Sequence, residues 1–278
     1  MSELPRTGLS GNLYLLCSSH PERGTHLAAQ SFSAPIHLSK AYWDGGILLV
    51  NVVNQTAGVF GGDCITAHVI VESHARVLLT SPSAARFHPS HGREARLEQT
   101  LEIRAQGFLD VFPEISIPQR DSRSFQKTVI HIEQGGELIY LETLAPGRVA
   151  SGEAFAFDRY AWATDIRVAG KIVHRERACI APRDSSLASL TSLFPAGYYA
   201  GLIVISPACE TWKTDFAHAV AALGDKVSAR IAASKLCAGG WSIRVLAADS
   251  LALRQSIAKL RQLIYAQLGK SVPDPRRS

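Results

Sequence analysis

Asn54 to Asp63 reads NQTAGVFGGD, three glycines and one carboxylate between two apolar runs. A glycine-rich loop after a strand is a common phosphate cradle, but the order here is Gly58, Val59, Phe60, Gly61, Gly62, Asp63. A dinucleotide loop needs G-x-G-x-x-G, and a P-loop needs G-x-x-x-x-G-K-[ST]. Neither fits. The lysine is missing, Asp63 would repel phosphate, and the run that follows alternates like a strand, so no helix N-terminus waits for an anion. What the glycines do permit is a wide turn in which backbones approach closely.

Other groups suggest metal or acid–base chemistry. FHPSH places His88 and His91 three apart beside Arg86 and Arg93. Imidazoles suit nickel, zinc and copper, but Pro89 breaks helical presentation and no thiol or carboxylate is adjacent, so a solvated loop is the simpler reading. Asp63, Glu142, Glu153 and Glu176 sit on or beside strand-like runs in apolar surroundings, where a carboxylate is costly to bury without a partner. LAPGRVASGE offers Glu153 such a partner in Arg148, five residues earlier across a turn. A glycosidase-type pair could be drawn from Glu114, Glu142 and Glu153, as it could in any β-rich chain. There is no G-x-S-x-G elbow, and the hydroxyls of Ser81 and Ser83 have no base at fixed spacing.

The elements that would position these groups are mostly strands. From about residue 40 to 183 the chain runs through HVIVESHARVLLT, TLEIRAQGFLDVF, TVIHIEQGGELIYLETL and TDIRVAGKIVHRERA. Each holds two apolar runs around a short turn, at Ser73-His74-Ala75, Gln106-Gly107, Gly135-Gly136 and Ala169-Gly170. Alternation buries one face of a strand, and glycine supplies the positive φ of a tight hairpin. The units recur about every 30 residues, within the range of repeat architectures. The expected fold is mainly β, stacked antiparallel strand pairs in a β-helix-like or sandwich-like arrangement. Residues 197–270 read as a mixed α/β part: a buried strand GYYAGLIVIS, a helix through Trp212, Phe216 and Val220, a strand WSIRVLAAD, and a helix capped by Asp249 with a stripe of Leu253, Ile257, Leu260 and Ile264. The tail KSVPDPRRS reads as frayed. No linker rich in Pro, Gly or Ser divides the chain, so a single domain over 1–278 is expected.

Composition narrows the function classes. The 278 residues are 46% hydrophobic, enough for a sizeable core. The net charge of +5 comes from 29 basic residues offset by 24 acidic ones in no long block, which argues against nucleic acid. The apolar runs GILLVNVV and AGLIVISPA are far short of the roughly 20 residues of a membrane helix. MSELPRTGLSG has no apolar signal core. The five cysteines are odd in number and scattered, which suits free thiols in a reducing cytoplasm.

Taken in order, these segments resemble the urease accessory protein UreD (UreH) family. NQTAGVFGGD is similar to its N-P-x-G-G-x-x-G-G-D, LLTSPSAARF to its Thr-rich strand end, DVFPEISIP to its L-P-x-P-x-I-P turn, and LETLAPGRVASGEAFAF to its L-A-P-G-R-x-x-x-G-E-x-F. WSIRVLAADSLALRQSIAKL resembles its closing strand and helix. Gln55, Ala57 and Glu114 depart from the usual proline, glycine and proline. The resemblance implies a β-rich, non-enzymatic scaffold without an intrinsic cofactor. It would act with UreF and the GTPase UreG, as part of a hetero-oligomer, to deliver nickel into urease apoprotein. Nickel would be in transit through an internal passage lined by polar residues. Candidate lining groups are Asp63, Glu142, Glu153, Glu176 and His131, of which only Asp63 and Glu153 fall inside the motifs. Gly61, Gly62, Gly147, Arg148 and Gly152 are motif residues with an expected structural role. The helix through Trp212 and Phe216 is the expected partner surface. The alternatives are a carbohydrate-active β-protein using paired glutamates and a stand-alone sugar- or metal-binding module.

Overall fold

A computed structural model describes residues 8–183, 197–212, 214–224, 227–237 and 239–275. Two sheets face each other. In spatial order the first holds β17 (Lys171–Ile180), β16 (Arg159–Val168), β12 (Arg123–Ile132), β9 (Ala95–Ile103), β6 (Cys64–Val71), β1 (Ser10–His20) and β2 (Gly24–Phe32). The second holds β19 (Ala229–Leu236), β20 (Gly240–Ala247), β18 (Tyr198–Ile205), β13 (Glu137–Leu144), β10 (Phe108–Phe112), β7 (Arg76–Thr80), β5 (Ile47–Asn54) and β3 (Ile36–Leu38), with β4 (Tyr42–Asp44) against β5. The expected mainly-β, β-helix-like stack is present. Its pairing is different from the one anticipated: β1, β6, β9, β12 and β16 run parallel, as do β5, β7, β10 and β13. Antiparallel β2 and β17 cover the two ends of the first stack.

The turns explain the difference. Those at Ser73-His74-Ala75, Gln106-Gly107 and Gly135-Gly136 are arches that carry the chain from the first sheet to the second; only Ala169-Gly170 closes a hairpin, between β16 and β17. Hairpins and arches both use a positive-φ corner, found here at His74, Gln106 and Gly135, so turn chemistry does not separate them. Burial does. β12 alternates between buried and exposed positions, whereas β7 and β13 are buried almost continuously. A strand covered on both faces must belong to a sheet with a layer on each side. Successive coils stack through backbone bonds at the arches, such as Arg104 N to Val71 O (2.9 Å) and Glu133 N to Ile103 O (2.8 Å).

Each coil returns along a short third side. β8 (Ala85–Phe87) and β11 (Ser116–Pro118) pair in parallel, and Val59, on the preceding coil, bridges Phe87. A ribbon of β14 (Gly147–Arg148) and β15 (Glu153–Ala154) continues this side. One apolar core fills the space between the sheets, including Leu15, Val69, Leu101, Ile130 and Ile166. A second lies on the outer face of the second sheet under helices α1 (Thr214–Gly224) and α2 (Ser250–Gln267).

The two expected C-terminal helices are therefore present. Asp249 caps α2 by accepting from Ala252 N at 2.7 Å, and Leu253, Ile257, Leu260 and Ile264 are buried as the stripe requires. On the same face Arg261 and Tyr265 reach across to Asp110 of β10, and all three are buried. Burial pushes the Asp110 carboxyl up, only partly offset by Arg261 and Tyr265. Trp212 and Phe216 do not form an outward patch. Both are buried and packed with Trp241 in the second core, because the stripe read as a partner surface is the one the sheet needs. The tail is docked as far as residue 275, with Lys270 on Glu137 (2.9 Å) and Tyr42 Oη donating to Pro275 O (3.1 Å).

Candidate functional site

The motif segments of successive coils lie on the same side of the solenoid and stitch one coil to the next. Gly61 passes so close to the following coil that a Cβ would sit 2.3 Å from Ser90 O. Gly62 adopts φ +89 with the Arg93 guanidinium packed against it, a conformation that favours glycine. Asp63 is buried, and its two carboxylate oxygens accept from the backbone of Leu9 and of Phe60, both at 2.8 Å. The carboxylate thus closes the glycine loop and ties the approach to β1 onto it. Three coils further on, Arg148 grips Glu153 through Nε (2.9 Å) and Nη2 (2.5 Å), and Arg120 N lies 3.4 Å from the same carboxylate. Hydrogen bonding from Arg148 holds the Glu153 carboxyl below its usual range. Gly147, at φ +132, lies where a Cβ would be 2.1 Å from Glu153 O; Gly152, at φ +72, turns in open space.

Inside the solenoid is a cavity of about 400 Å³. Near the glycine loop it is lined by Asn54, Thr56, Gly58 and Arg86, and deeper in by Gln99, Gln126, Thr128, Tyr140, Glu142, Tyr160, Trp162 and Tyr199. Alternation along β13 puts Tyr140 and Glu142 on one face, and parallel stacking of β9 on β12 sets Gln99 beside Thr128 in the sheet opposite. Tyr140 Oη donates to Glu142 Oε1 at 2.6 Å, and Thr164 Oγ1 lies 2.9 Å from the same oxygen. Thr128 Oγ1 is 3.0 Å from Tyr140 Oη and 2.8 Å from Gln99 Nε2. Burial raises the Glu142 carboxyl above its ordinary value, against the pull of Tyr140 and Thr164. Burial pushes the Tyr140 phenol well up in the same way.

Beyond Tyr199 stands a second carboxylate. Glu176 of β17 pairs with Arg244 Nη2 at 2.6 Å, accepts from Tyr199 Oη at 3.3 Å, and has His174 Nε2 at 3.4 Å. Burial pushes its carboxyl up, but His174 and Arg244 outweigh that and hold it below the usual glutamate value. Of the five candidate residues, Glu142 lines the cavity and Glu176 lies next to it. Asp63 and Glu153 are bound into coil corners, away from the cavity lining. His131 faces outward from β12, over a shallow dent of about 140 Å³ shared with Glu102 and Arg167. Among the described residues no three His, Cys, Asp or Glu side chains cluster to hold a metal ion.

Reading the sequence alone missed Tyr140, Tyr199, Gln99, Gln126 and Arg244. The available signal was LIYLETL, where a tyrosine and a glutamate two apart interrupt a doubly buried strand. Polar groups there must face each other across an interior. The wall offers a mixed set of oxygens, the carboxylates of Glu98, Glu114 and Glu142 with hydroxyls and amides, alongside the cationic Arg86 and Lys127. Such donors suit a hard-to-intermediate cation passing through weak sites, not one held in a tight cage.

These features define a parallel β-solenoid whose apolar interior holds a partly open cavity with a cluster of polar groups on its wall, and a helical layer on one sheet. Comparison with known sequences says which kind. The model of the family described as UreD urease accessory protein matches residues 10–278. The urease accessory protein UreD of Opitutus terrae is 34% identical over 96% of this chain and 98% of the relative. The UreD of Deinococcus radiodurans is 32% identical over 82% of this chain and 80% of the relative. The chain belongs to the UreD urease accessory protein family. Its relatives are named as accessory proteins to an enzyme, and its own role is in urease maturation. No helix among the described residues is long and apolar enough to cross a membrane.

Proposed function

We propose that this protein is a non-enzymatic scaffold that, with UreF and the GTPase UreG, passes nickel to urease apoprotein in the cytoplasm, and that the cavity is the ion's route. Nickel is cargo here, not a resident cofactor. The observation that carries the reading is Glu142: a half-buried carboxylate, held by Tyr140 and Thr164 hydroxyls, on the wall of a cavity of about 400 Å³. A buried carboxylate facing apolar neighbours alone would be a liability; one that faces a cavity can accept a passing cation.

In this reading Glu142 and Glu176 are the path residues, while Asp63, Glu153, Gly61, Gly62, Gly147, Arg148 and Gly152 build the wall that holds them. His131 is the one candidate imidazole on the outer face. Co-expression with a urease operon lacking its own copy of this chain tests the proposal. Wild type should restore activity and nickel content, and Glu142→Ala should lower both at least about tenfold with thermal stability unchanged. Full nickel loading by a folded Glu142→Ala variant would remove the cavity from the route. A wild-type chain that restores nothing would remove the function.

A further inference from the structure

Register across the second sheet places an arginine within reach of two half-buried carboxylates. Glu142 on β13 is opposite Gly201 on β18, and Gly201 is opposite Arg244 on β20. Directly opposed residues share a face, so Glu142 and Arg244 point to the same side, about 10 Å apart at the backbone for two strand spacings. Gly201 between them contributes no side chain. A Cβ there would lie 3.3 Å from Arg244 Nη1 and 2.8 Å from Tyr199 Oη, so the arginine already rests over the gap the glycine leaves. Its other nitrogen, Nη2, holds Glu176 at 2.6 Å. The guanidinium is thus fastened to one carboxylate, and only the Tyr199 phenol lies over the glycine between it and the other.

We infer that Arg244 is a movable counter-ion that exchanges carboxylates with the cation crossing the cavity. As described, Arg244 sits on Glu176, and Glu142 is open to a divalent cation from the cavity. When the cation moves on, the Tyr199 phenol swings aside, Arg244 passes over Gly201 to Glu142, and the cation takes Glu176, where His174 Nε2 supplies an imidazole 3.4 Å from the carboxylate. While the cation is in transit each carboxylate has a positive partner, which matters because an uncompensated buried charge is far more costly than a paired one. Once on Glu142, the guanidinium also repels the cation from returning. The way out leads past the β17 edge, where Glu176 and Arg244 are partly exposed. Gly201 and Arg244 are positioning residues here, and the inference rests on the reading of the cavity as a cation path.

The test uses the full-length chain and Ni²⁺ alone, by equilibrium dialysis. Arg244→Gln should bind Ni²⁺ about tenfold more tightly or better, as expected when a neighbouring like charge is removed, and Glu142→Gln should bind it more weakly. If Glu142→Gln weakens binding and Arg244→Gln leaves it unchanged, the exchange is wrong and the cation path stands. If neither variant changes binding, the path itself is wrong and the exchange falls with it. Two further variants keep the arginine in place should Arg244→Gln fail to fold. Gly201→Ala should bind Ni²⁺ like wild type but load urease about tenfold less, and wild-type loading would overturn the passage over Gly201. In a crystal structure of Glu176→Gln the guanidinium should have moved onto Glu142; a guanidinium still beside residue 176 would overturn the two-position device.

Discussion

Replacing Asp63 by alanine separates a clamp from a cation ligand. Its carboxylate accepts two backbone amides at 2.8 Å, from Leu9 and Phe60, with no cation among its partners. A hydrogen bond to a charged group contributes about 1.5–3 kcal/mol. Leu9 and Phe60 are themselves 48% and 41% exposed, so water replaces part of each bond and the lower figure applies. Two bonds at about 1.5 kcal/mol make the loss about 3 kcal/mol. For a chain of this size that is a fall in Tm of about 6–12 °C. Differential scanning fluorimetry reads it directly, with urea unfolding as a second measure. A shift under about 1 °C would refute the clamp and return Asp63 to the list of candidate ligands. The control is Glu142→Ala, which should lose nickel loading with far less effect on Tm; Asp63→Ala should show the reverse order of effects.

Two other expectations follow from the same geometry. Gly147→Ala should cost about 3 kcal/mol or more, because its Cβ meets Glu153 O at 2.1 Å at φ +132, while Gly152→Ala, at φ +72 in open space, should cost about 1 kcal/mol; equal Tm values for the two would show that the coils are not stitched through Gly147. Glu142 gives a pH signature. Its folded-state value is raised by burial above the ordinary 4.5, so the folded chain binds that proton more tightly than the unfolded chain does. The associated stability is complete below about 4.5 and is lost as pH rises through the raised value. Glu142→Gln lacks this titration, so its Tm should match wild type in acid and exceed it increasingly as pH rises, in parallel thermal scans; a gap that shrinks with rising pH would contradict the burial described.

How far the sequence spoke differs from element to element. The cap at Asp249 and the stripe Leu253, Ile257, Leu260 and Ile264 were readable because helix signals are local. The coil period was readable because in-register partners such as Cys64 with Arg96 and Ala95 with Ser124 fall about 30 residues apart. Arch and hairpin were not told apart, since both need one-sided alternation and a positive-φ corner, and what separates them is a partner strand a full coil away. β1 lay ahead of the expected β region although Leu13, Leu15 and Cys17 alternate cleanly; β2, nearly all exposed, carries no pattern to read. At the site, local chemistry identified carboxylates but not their surroundings. Arg148 five residues before Glu153 was visible as a pair. Beyond Tyr140 and His174 on their own strands, the partners of Glu142 and Glu176 come from three other strands, and Arg244 is 68 residues from Glu176.

The cavity wall also bears on how such a protein can be taken apart. Its lining runs from Leu13 on β1 to Tyr199 on β18, with every intervening coil supplying part of the surface. No contiguous fragment much shorter than that span contains an inside at all. A chain that ends before β18 therefore leaves the interior polar groups without their last wall, and the complete cavity exists only when every coil is in place. Truncation series cannot map it, because each deletion removes the space along with the residues. It can be dissected only by point substitutions that leave every coil in place, and altered only gradually, one side chain at a time.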